Sequence, residues 1–204
     1  LARYNPDELP LPKTQPGELD TKTTYQQLDS QYSHNDPGSY NVGAMTDADK
    51  REVTAAYYAM IEHIDEGVGR MIDALEATGQ LENTIIIFMS DHGEMLGDHN
   101  LWRKTYAYEP SARIPLIVRP PVDQSRSATD LERKSVLDPT DLLDGPRNIE
   151  LGHPVGLEDI MPTLLDAADL PIPSTVEGLS LMPLVRGQDV SWRDHYHIEH
   201  SPCY

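Results

Sequence analysis

A short polar segment near the middle of the chain carries residue types that could do chemistry. Residues 90–99 read SDHGEMLGDH. Asp91 and His92 together offer a divalent cation one hard and one borderline donor. Gly93 permits a sharp turn that would let both side chains converge, although strand alternation would point them apart. The pair alone equally suits ordinary polar residues at a strand end, so both interpretations stay open at this point.

Lys104 lies downstream of this segment, in a stretch that reads LWRKTYAYE over residues 101–109. A lysine beside a metal suits the binding of an anionic group, because its ammonium is a compact point charge. A lysine taken at random is more often a solvated surface residue. In a chain of net charge -18, a cation and one or two basic side chains could still form a local anion site.

A long helix is predicted before the polar segment. Thr46 and Asp49 form a capping-box pattern at its start, with acidic charge in the first turn. Apolar residues then recur with the i, i+3, i+4, i+7 spacing of an amphipathic helix as far as about Thr78. Gly79 is the predicted C-terminal cap of this helix.

Two apolar runs flank the polar segment and predict strands. Residues 84–89 read TIIIFM and residues 115–118 read PLIV. Runs without alternation are typical of strands buried on both faces, as in a parallel sheet. A further helix is predicted over residues 157–168, and a strand is predicted to begin at Tyr196. Helix, buried strand, polar loop and buried strand make an α/β pattern.

The chain divides into four stretches by composition. Residues 1–45 are rich in Pro and Gly and poor in apolar side chains, which predicts an extended segment. Residues 46–120 hold the helix, the strands and the polar loop. Residues 121–150 are charged and punctuated by Pro and Gly, and are interpreted as an inserted loop. Residues 151–204 are interpreted as a helix followed by the segment that leads into a C-terminal subdomain.

Composition argues against several classes of partner. The net charge of -18 disfavours binding to nucleic acid or to anionic lipid. No apolar run approaches the roughly 18 residues of a membrane span. Cys203 is the single cysteine, which excludes an internal disulfide, and it is interpreted as an ordinary small residue. Because the chain starts at Leu1 without a Met, we expect it to be a piece of a longer protein.

In combination these motifs closely resemble the arylsulfatase-like sulfatases of the alkaline-phosphatase-like superfamily. The matching parts are residues 90–99, Leu101-Trp102, Lys104, Tyr108-Glu109 and 113–118, with further likeness over 4–12, 57–78, 159–166 and 177–184. The resemblance implies an α/β fold with a largely parallel central sheet flanked by helices. It also implies that this chain is the C-terminal portion, without the N-terminal half.

The resemblance implies a hydrolase of sulfuric esters. In the family, a cysteine in a Cys-x-Pro-Ser-Arg motif becomes formylglycine, whose hydrate attacks the sulfur of a sulfate monoester with the help of a divalent cation. Asp91 and His92 are then metal ligands, Lys104 is the catalytic residue that binds the sulfate or leaving oxygen, and His99 is a second candidate for substrate binding. This chain contains no Cys-x-Pro-Ser-Arg, so we expect the formylglycine in the missing N-terminal portion and the fragment alone to be inactive.

The resemblance leaves the metal and the scissile bond open. Calcium is the favoured cation, but His92 stands where many sulfatases have Asn, and an imidazole suits manganese or zinc as well, with magnesium a further alternative. His92 also motivates a second hypothesis, a phosphonate monoester or phosphodiester hydrolase of the same superfamily. A third is a non-catalytic acidic module that binds a metal or a protein. The expected substrate is a small sulfate ester or a sulfated glycan; the oligomeric state and the compartment, export included, stay open.

Overall fold

The computed structural model describes residues 3–32, 44–104, 106–121 and 150–198. In chain order, its helices and strands are α1 (Thr24–Tyr32), α2 (Asp47–Ala77), β1 (Ile86–Met89), α3 (Glu109–Ala112), β2 (Leu116–Arg119), α4 (Ile160–Ala167) and α5 (Met182–Val185). Single 3-10 turns lie between them, including Glu18–Thr21, Asp98–Asn100 and Leu157–Asp159. This mixture of helices and strands confirms the α/β class.

Two compact units make up the described chain. The first takes its described residues from 3–74 and 90–115, and the second from 75–89 and 116–198. The polar segment 90–99 and Lys104 therefore belong to the first unit, whereas both strands belong to the second.

Helix α2 begins and ends where the sequence predicts. The Thr46 amide donates to Asp49 Oδ2 at 2.7 Å, and the Asp49 amide donates back to Thr46 Oγ1 at 3.2 Å. The Thr46 hydroxyl also donates to Asp49 Oδ2 at 2.6 Å, and this hydrogen bond, followed by that from the Thr46 amide, lowers the pKa of Asp49. At the other end, Gly79 adopts a φ of +67°, which favours glycine at a helix C-cap. The capping box and the glycine cap are both confirmed.

Helix α1 lies within residues 1–45, whose composition predicts an extended segment. Two side chains of α1 make hydrogen bonds with tyrosines far along the chain: Tyr106 donates its hydroxyl to Asp29 Oδ2 at 2.5 Å, and Gln26 Nε2 donates to the Tyr108 hydroxyl oxygen at 2.9 Å. These long-range polar contacts fix a helix with little apolar periodicity, so no local pattern predicted it.

Strands β1 and β2 pair antiparallel, with Phe88 opposite Ile117. The predicted parallel arrangement is therefore wrong for this pair, because an apolar run indicates a strand without giving its direction. Parallel strands are usually linked by a helix that crosses the sheet, whereas the described chain between Met89 and Leu116 carries only the 3-10 turn Asp98–Asn100 and the four-residue α3. Burial on both faces is also wrong here, since Phe88 and Ile117 are 37% and 61% exposed.

The second unit is organised around a fully buried carboxylate. Asp159 is 0% exposed and accepts hydrogen bonds from the Gly156 amide at 3.0 Å, the Leu179 amide at 2.8 Å and Arg193 Nη2 at 2.6 Å. These donors come from three separate stretches of the chain. The predicted helix over residues 157–168 is confirmed as a 3-10 turn followed by α4, and Asp159 lies at their junction.

Several expectations fall at the edge of the described residues or beyond it. Residues 196–198 are not in a strand, so the strand predicted from Tyr196 does not form over these residues. Residues 122–149 of the predicted insertion, and Cys203, lie outside the described residues. Among the described helices, none combines the length and the apolar character that crossing a bilayer requires.

Replacing Asp159 with Ala should strongly destabilise the protein. The change leaves Arg193 Nη2 and two amides without their acceptor, and breaking such a buried, charged contact typically costs about 3 kcal/mol or more. Urea unfolding measures the loss. Asp189→Ala, at an exposed position of the same unit, is the matched control, and equal stability of the two variants would contradict this account.

Candidate active site

The candidate site is built where residues 93–94 run beside residues 110–111. The Gly93 amide donates to the Ser111 carbonyl oxygen at 2.8 Å, and the Glu94 amide donates to the Pro110 carbonyl oxygen at 2.9 Å. A Cβ on Gly93 would lie 2.0 Å from the Pro110 carbonyl oxygen, so a side chain cannot fit at this position. The close approach explains a glycine that the sequence analysis assigned to a turn.

The His92 ring has a defined tautomer. Its Nδ1 lies 2.8 Å from the Gly93 carbonyl oxygen, which accepts hydrogen bonds and cannot donate them. Nδ1 therefore carries the proton, and Nε2 presents a lone pair. Lys104 Nζ donates to that lone pair at 2.8 Å. This contact between Nζ and Nε2 brings together Lys104 and His92, which the sequence predicts to belong to one site.

Asp91 lies on the same side of the imidazole as the lone pair. Its Oδ2 is 3.6 Å from His92 Nε2. The side chain of Asp91 is 80% exposed and that of His92 is 39% exposed, so solvent reaches both side chains. The structure thus brings together Asp91, His92 and Lys104, three of the four residues predicted from the sequence.

These two donors fit a divalent cation as part of a coordination set. Metal–ligand distances of about 2.0 to 2.6 Å let one ion contact both atoms across their 3.6 Å separation. The Nδ1 hydrogen bond to Gly93 is the contact to a backbone carbonyl that orients metal-binding histidines. Within the described ranges, no group of three or more His, Cys, Asp or Glu side chains could enclose an ion, so Asp91 and His92 form an incomplete set.

His99, the fourth predicted residue, makes different contacts. Its Nδ1 contacts the carboxylate of Glu18, and its ring stacks on Tyr108 with centroids 4.3 Å apart. The neighbouring Asp98 accepts the Lys13 amide at 2.7 Å, and the His99 amide donates to the Lys13 carbonyl oxygen at 3.0 Å. Residues 98–99 are therefore held by residues 13–18, through contacts between positions too far apart in sequence to be predicted.

Two further residues matter to the site and were missed by sequence reasoning. Ser111 is buried and donates its hydroxyl to the Lys104 carbonyl oxygen at 2.5 Å. Glu94 accepts the Arg103 amide at 2.6 Å. Glu94 lies within a segment that resembles the sulfatases, and this was the one indication of its role in the sequence. A side chain that hydrogen-bonds backbone groups produces no recognisable spacing of residue types.

Comparison with known proteins gives consistent matches. The Sulfatase family model matches residues 21–170. An arylsulfatase of Clostridium perfringens is 44% identical over 151 residues, which cover 74% of this chain and 28% of that protein. The chain thus spans less than a third of the length of that relative. Together, the family model and this relative show that the chain belongs to the sulfatase family.

Solved structures extend the likeness to the fold. A phosphonate monoester hydrolase from Silicibacter pomeroyi matches with a TM-score of 0.72 and 29% identity, over 94% of this chain and 34% of that one. A protein solved in complex with its substrate D-glucosamine-2-N,6-O-disulfate matches with a TM-score of 0.52 and 28% identity, over 87% of this chain and 33% of that one. The alkaline-phosphatase-like sulfatase fold is therefore confirmed.

The contact between Glu18 and His99 should make stability depend on acid pH. Burial alone would raise the pKa of Glu18, but hydrogen bonds from His99 and the Gln15 amide, with the charges of His99 and Lys22, lower it overall. A carboxyl whose folded pKa is depressed stabilises the protein above its unfolded pKa, and this stabilisation is lost as pH falls through the folded pKa.

Glu18→Gln should therefore lower Tm by about 1 to 4 °C near pH 6, and the difference from wild type should shrink as pH falls below about 4. Thermal melts across this range measure it. Glu52→Gln, exposed on α2, controls for the loss of one negative charge. A difference that stays constant from pH 6 to pH 3 would contradict the prediction.

Proposed function

We propose that this chain carries part of the active site of a metal-assisted hydrolase that cleaves sulfate monoesters. Asp91 and His92 would hold a divalent cation, and Lys104 would bind an oxygen of the ester. The observation that supports this most directly is the 2.8 Å contact between Lys104 Nζ and His92 Nε2, with the Asp91 carboxylate beside it. Membership of the sulfatase family supplies the reaction class.

A metal at this position would contact the chain through Asp91 Oδ2 and His92 Nε2. When bound, it would neutralise the anionic substrate and activate the nucleophile. The carboxylate suits calcium, and we propose calcium as the first candidate; the imidazole equally suits manganese or zinc. Because Nδ1 donates to the Gly93 carbonyl oxygen, Nε2 is the ring nitrogen that would face the cation.

Lys104 has the charge and the exposure that binding an anion requires. Its side chain lies on the surface of the first unit, and the chain as a whole has a net charge of -18. An anionic ester would be repelled by most of that surface and attracted where the cation and the ammonium coincide. Since a metal at His92 Nε2 takes the lone pair that Lys104 contacts, the ammonium would turn from the imidazole to the ester oxygen.

We place the nucleophile outside this chain, as a formylglycine derived from cysteine. The sequence has no Cys-x-Pro-Ser-Arg, and the chain covers 28% of the Clostridium perfringens arylsulfatase. In this proposal the chain is the C-terminal portion of the enzyme and is inactive alone. Mass spectrometry of the full-length protein tests the proposal: an aldehyde in place of the cysteine in such a motif supports it, and an unmodified cysteine in active protein excludes formylglycine chemistry.

Hydrolysis of phosphonate monoesters is the second candidate function. It is favoured by His92 and by the TM-score of 0.72 to a phosphonate monoester hydrolase, against 0.52 to the protein solved with a disulfated glucosamine. Sulfate and phosphonate monoesters are similar in shape, so one loop does not decide between them. Turnover of an aryl sulfate and an aryl phosphonate monoester by the full-length enzyme decides, and a clear phosphonate preference would replace the sulfatase proposal.

Asp91→Ala should abolish one tight divalent-cation site in the full-length protein. Carboxylate oxygens are strong ligands for hard cations, whereas diffuse acidic charge binds them weakly and without fixed geometry. Calorimetric titration with calcium and with manganese measures the loss. Asp65→Ala, exposed on α2, is the control and should keep the site. Several weak sites that do not depend on Asp91 would instead favour the acidic binding module.

Lys104→Ala should lower kcat/KM about 10- to 100-fold, because it removes a charge-assisted hydrogen bond worth about 1.5 to 3 kcal/mol. Lys104→Arg should rescue poorly, since a planar guanidinium does not replace a compact ammonium. Steady-state kinetics and thermal melts check both variants, with Lys50→Ala on α2 as control. Wild-type kinetics in Lys104→Ala would show that this lysine is solvated surface.

A further inference from the structure

The backbone that leads to Lys104 has an unusual conformation. Leu96, His99, Asn100 and Arg103 all have positive φ values, of 46°, 57°, 60° and 69°. Residues with a Cβ avoid this left-handed region, so each must be held there by its surroundings. Arg103 immediately precedes Lys104, so the direction in which the chain enters Lys104 depends on what holds Arg103.

One carboxylate holds both ends of this loop. Glu94 Oε1 accepts the Arg103 amide at 2.6 Å and the Leu96 amide at 3.2 Å. The Arg103 carbonyl oxygen in turn accepts the Met95 amide at 2.7 Å, and Met95 is 1% exposed. Arg103 is therefore anchored through both its backbone groups, one of them by a charged acceptor, which makes the stronger hydrogen bond.

Glu94 is itself anchored through its backbone. Its backbone amide donates to the Pro110 carbonyl oxygen at 2.9 Å, and its side chain is partly buried. Tyr57 of α2 lies close enough for the Glu94 charge to act on it: burial raises the pKa of Tyr57, and the Glu94 carboxylate raises it further. Glu94 is therefore anchored by its backbone contact and by the two amides that its side chain accepts, and is not a mobile surface residue.

Lys104 is held from its other side by a separate residue. The buried Ser111 donates its hydroxyl to the Lys104 carbonyl oxygen at 2.5 Å. With Arg103 fixed by Glu94, the backbone is fixed on both sides of Lys104. The Lys104 side chain therefore extends from a fixed backbone position, and its Nζ lies 2.8 Å from His92 Nε2.

We propose that Glu94 is a positioning residue for Lys104, acting through the backbone of Arg103. The proposal rests on the proposed function, in which Lys104 binds the ester oxygen. Glu94 touches neither the metal ligands nor Lys104 through its side-chain contacts, so its effect on catalysis should pass through Lys104 alone. Removing Glu94 should then matter only while Lys104 is present.

A double-mutant cycle in the full-length enzyme tests this dependence. Glu94→Ala should lower kcat/KM about 10-fold in the wild-type background and less than about 2-fold in Lys104→Ala, because two residues that act as one unit give non-additive losses. Glu94→Gln keeps an acceptor oxygen and should recover activity to within about 3-fold of wild type. Glu66→Ala, exposed on α2, is the control and should change neither background.

Amide hydrogen exchange supplies a readout that does not require activity. Exchange of the Arg103 amide should accelerate at least about 10-fold in Glu94→Ala and stay near wild type in Glu94→Gln. Glu94→Asp keeps the charge but is shorter by one methylene, and it should show the same fast exchange and the same non-additive loss. This variant keeps the test valid where Glu94→Ala does not fold.

The outcomes separate the two proposals. Equal losses from Glu94→Ala with and without Lys104 would overturn the positioning role, while an impaired Lys104→Ala would leave the proposed function standing. Unchanged exchange at Arg103 in Glu94→Ala and Glu94→Asp would also overturn the positioning role. Full activity of Lys104→Ala would instead overturn the proposed function, whatever the exchange data show.

Discussion

The close approach of two backbone segments is the constraint on which the site depends. Residues 93–94 donate two amides to the carbonyl oxygens of residues 110–111, at a distance that admits no side chain on Gly93. This contact brings His92 and Lys104, which are separated along the chain by a loop, to the same place. The hydroxyl of Ser111 then fixes Lys104, so one small region of backbone orients both the imidazole and the ammonium.

The net charge of the chain bears on how the proposed site would bind an anion. A chain with net charge -18 repels anions over most of its surface, so in the proposed function a single ammonium beside a bound cation would make a distinct region of favourable potential. The imidazole contacts the Gly93 carbonyl oxygen through Nδ1 and the Lys104 ammonium through Nε2. In the proposed function, preference for an anionic ester over a neutral one would depend on the positions of the bound metal and the Lys104 ammonium.

Local patterns predicted the parts of the fold that local chemistry controls. The capping box at Thr46 and the left-handed glycine at Gly79 bound α2 where expected, because each acts within a few residues. The direction of β2 relative to β1 was predicted wrongly, since pairing depends on the path of the connection. Glu18 and His99 meet across a large sequence separation, and no spacing rule connects them.

The candidate site shows the same difference between features set by local sequence and features set by long-range contacts. Asp91, His92 and Lys104 were identified from residue types and from the family resemblance, and the structure brings them together. The residues that hold them, Glu94 and Ser111, act on backbone groups and so leave no mark in composition or periodicity. Residue types that could bind a metal or an anion are easier to recognise in a sequence than the residues that hold them in position.

A crystal structure of the full-length protein with calcium and inorganic sulfate tests the central claim most directly. Our account predicts a cation bound by the Asp91 carboxylate and His92 Nε2, with the Nδ1 contact to Gly93 kept. It also predicts a sulfate oxygen within hydrogen-bond distance of Lys104 Nζ, which has moved off the imidazole. A cation bound elsewhere, with Lys104 still on His92 and sulfate absent from both, would contradict it.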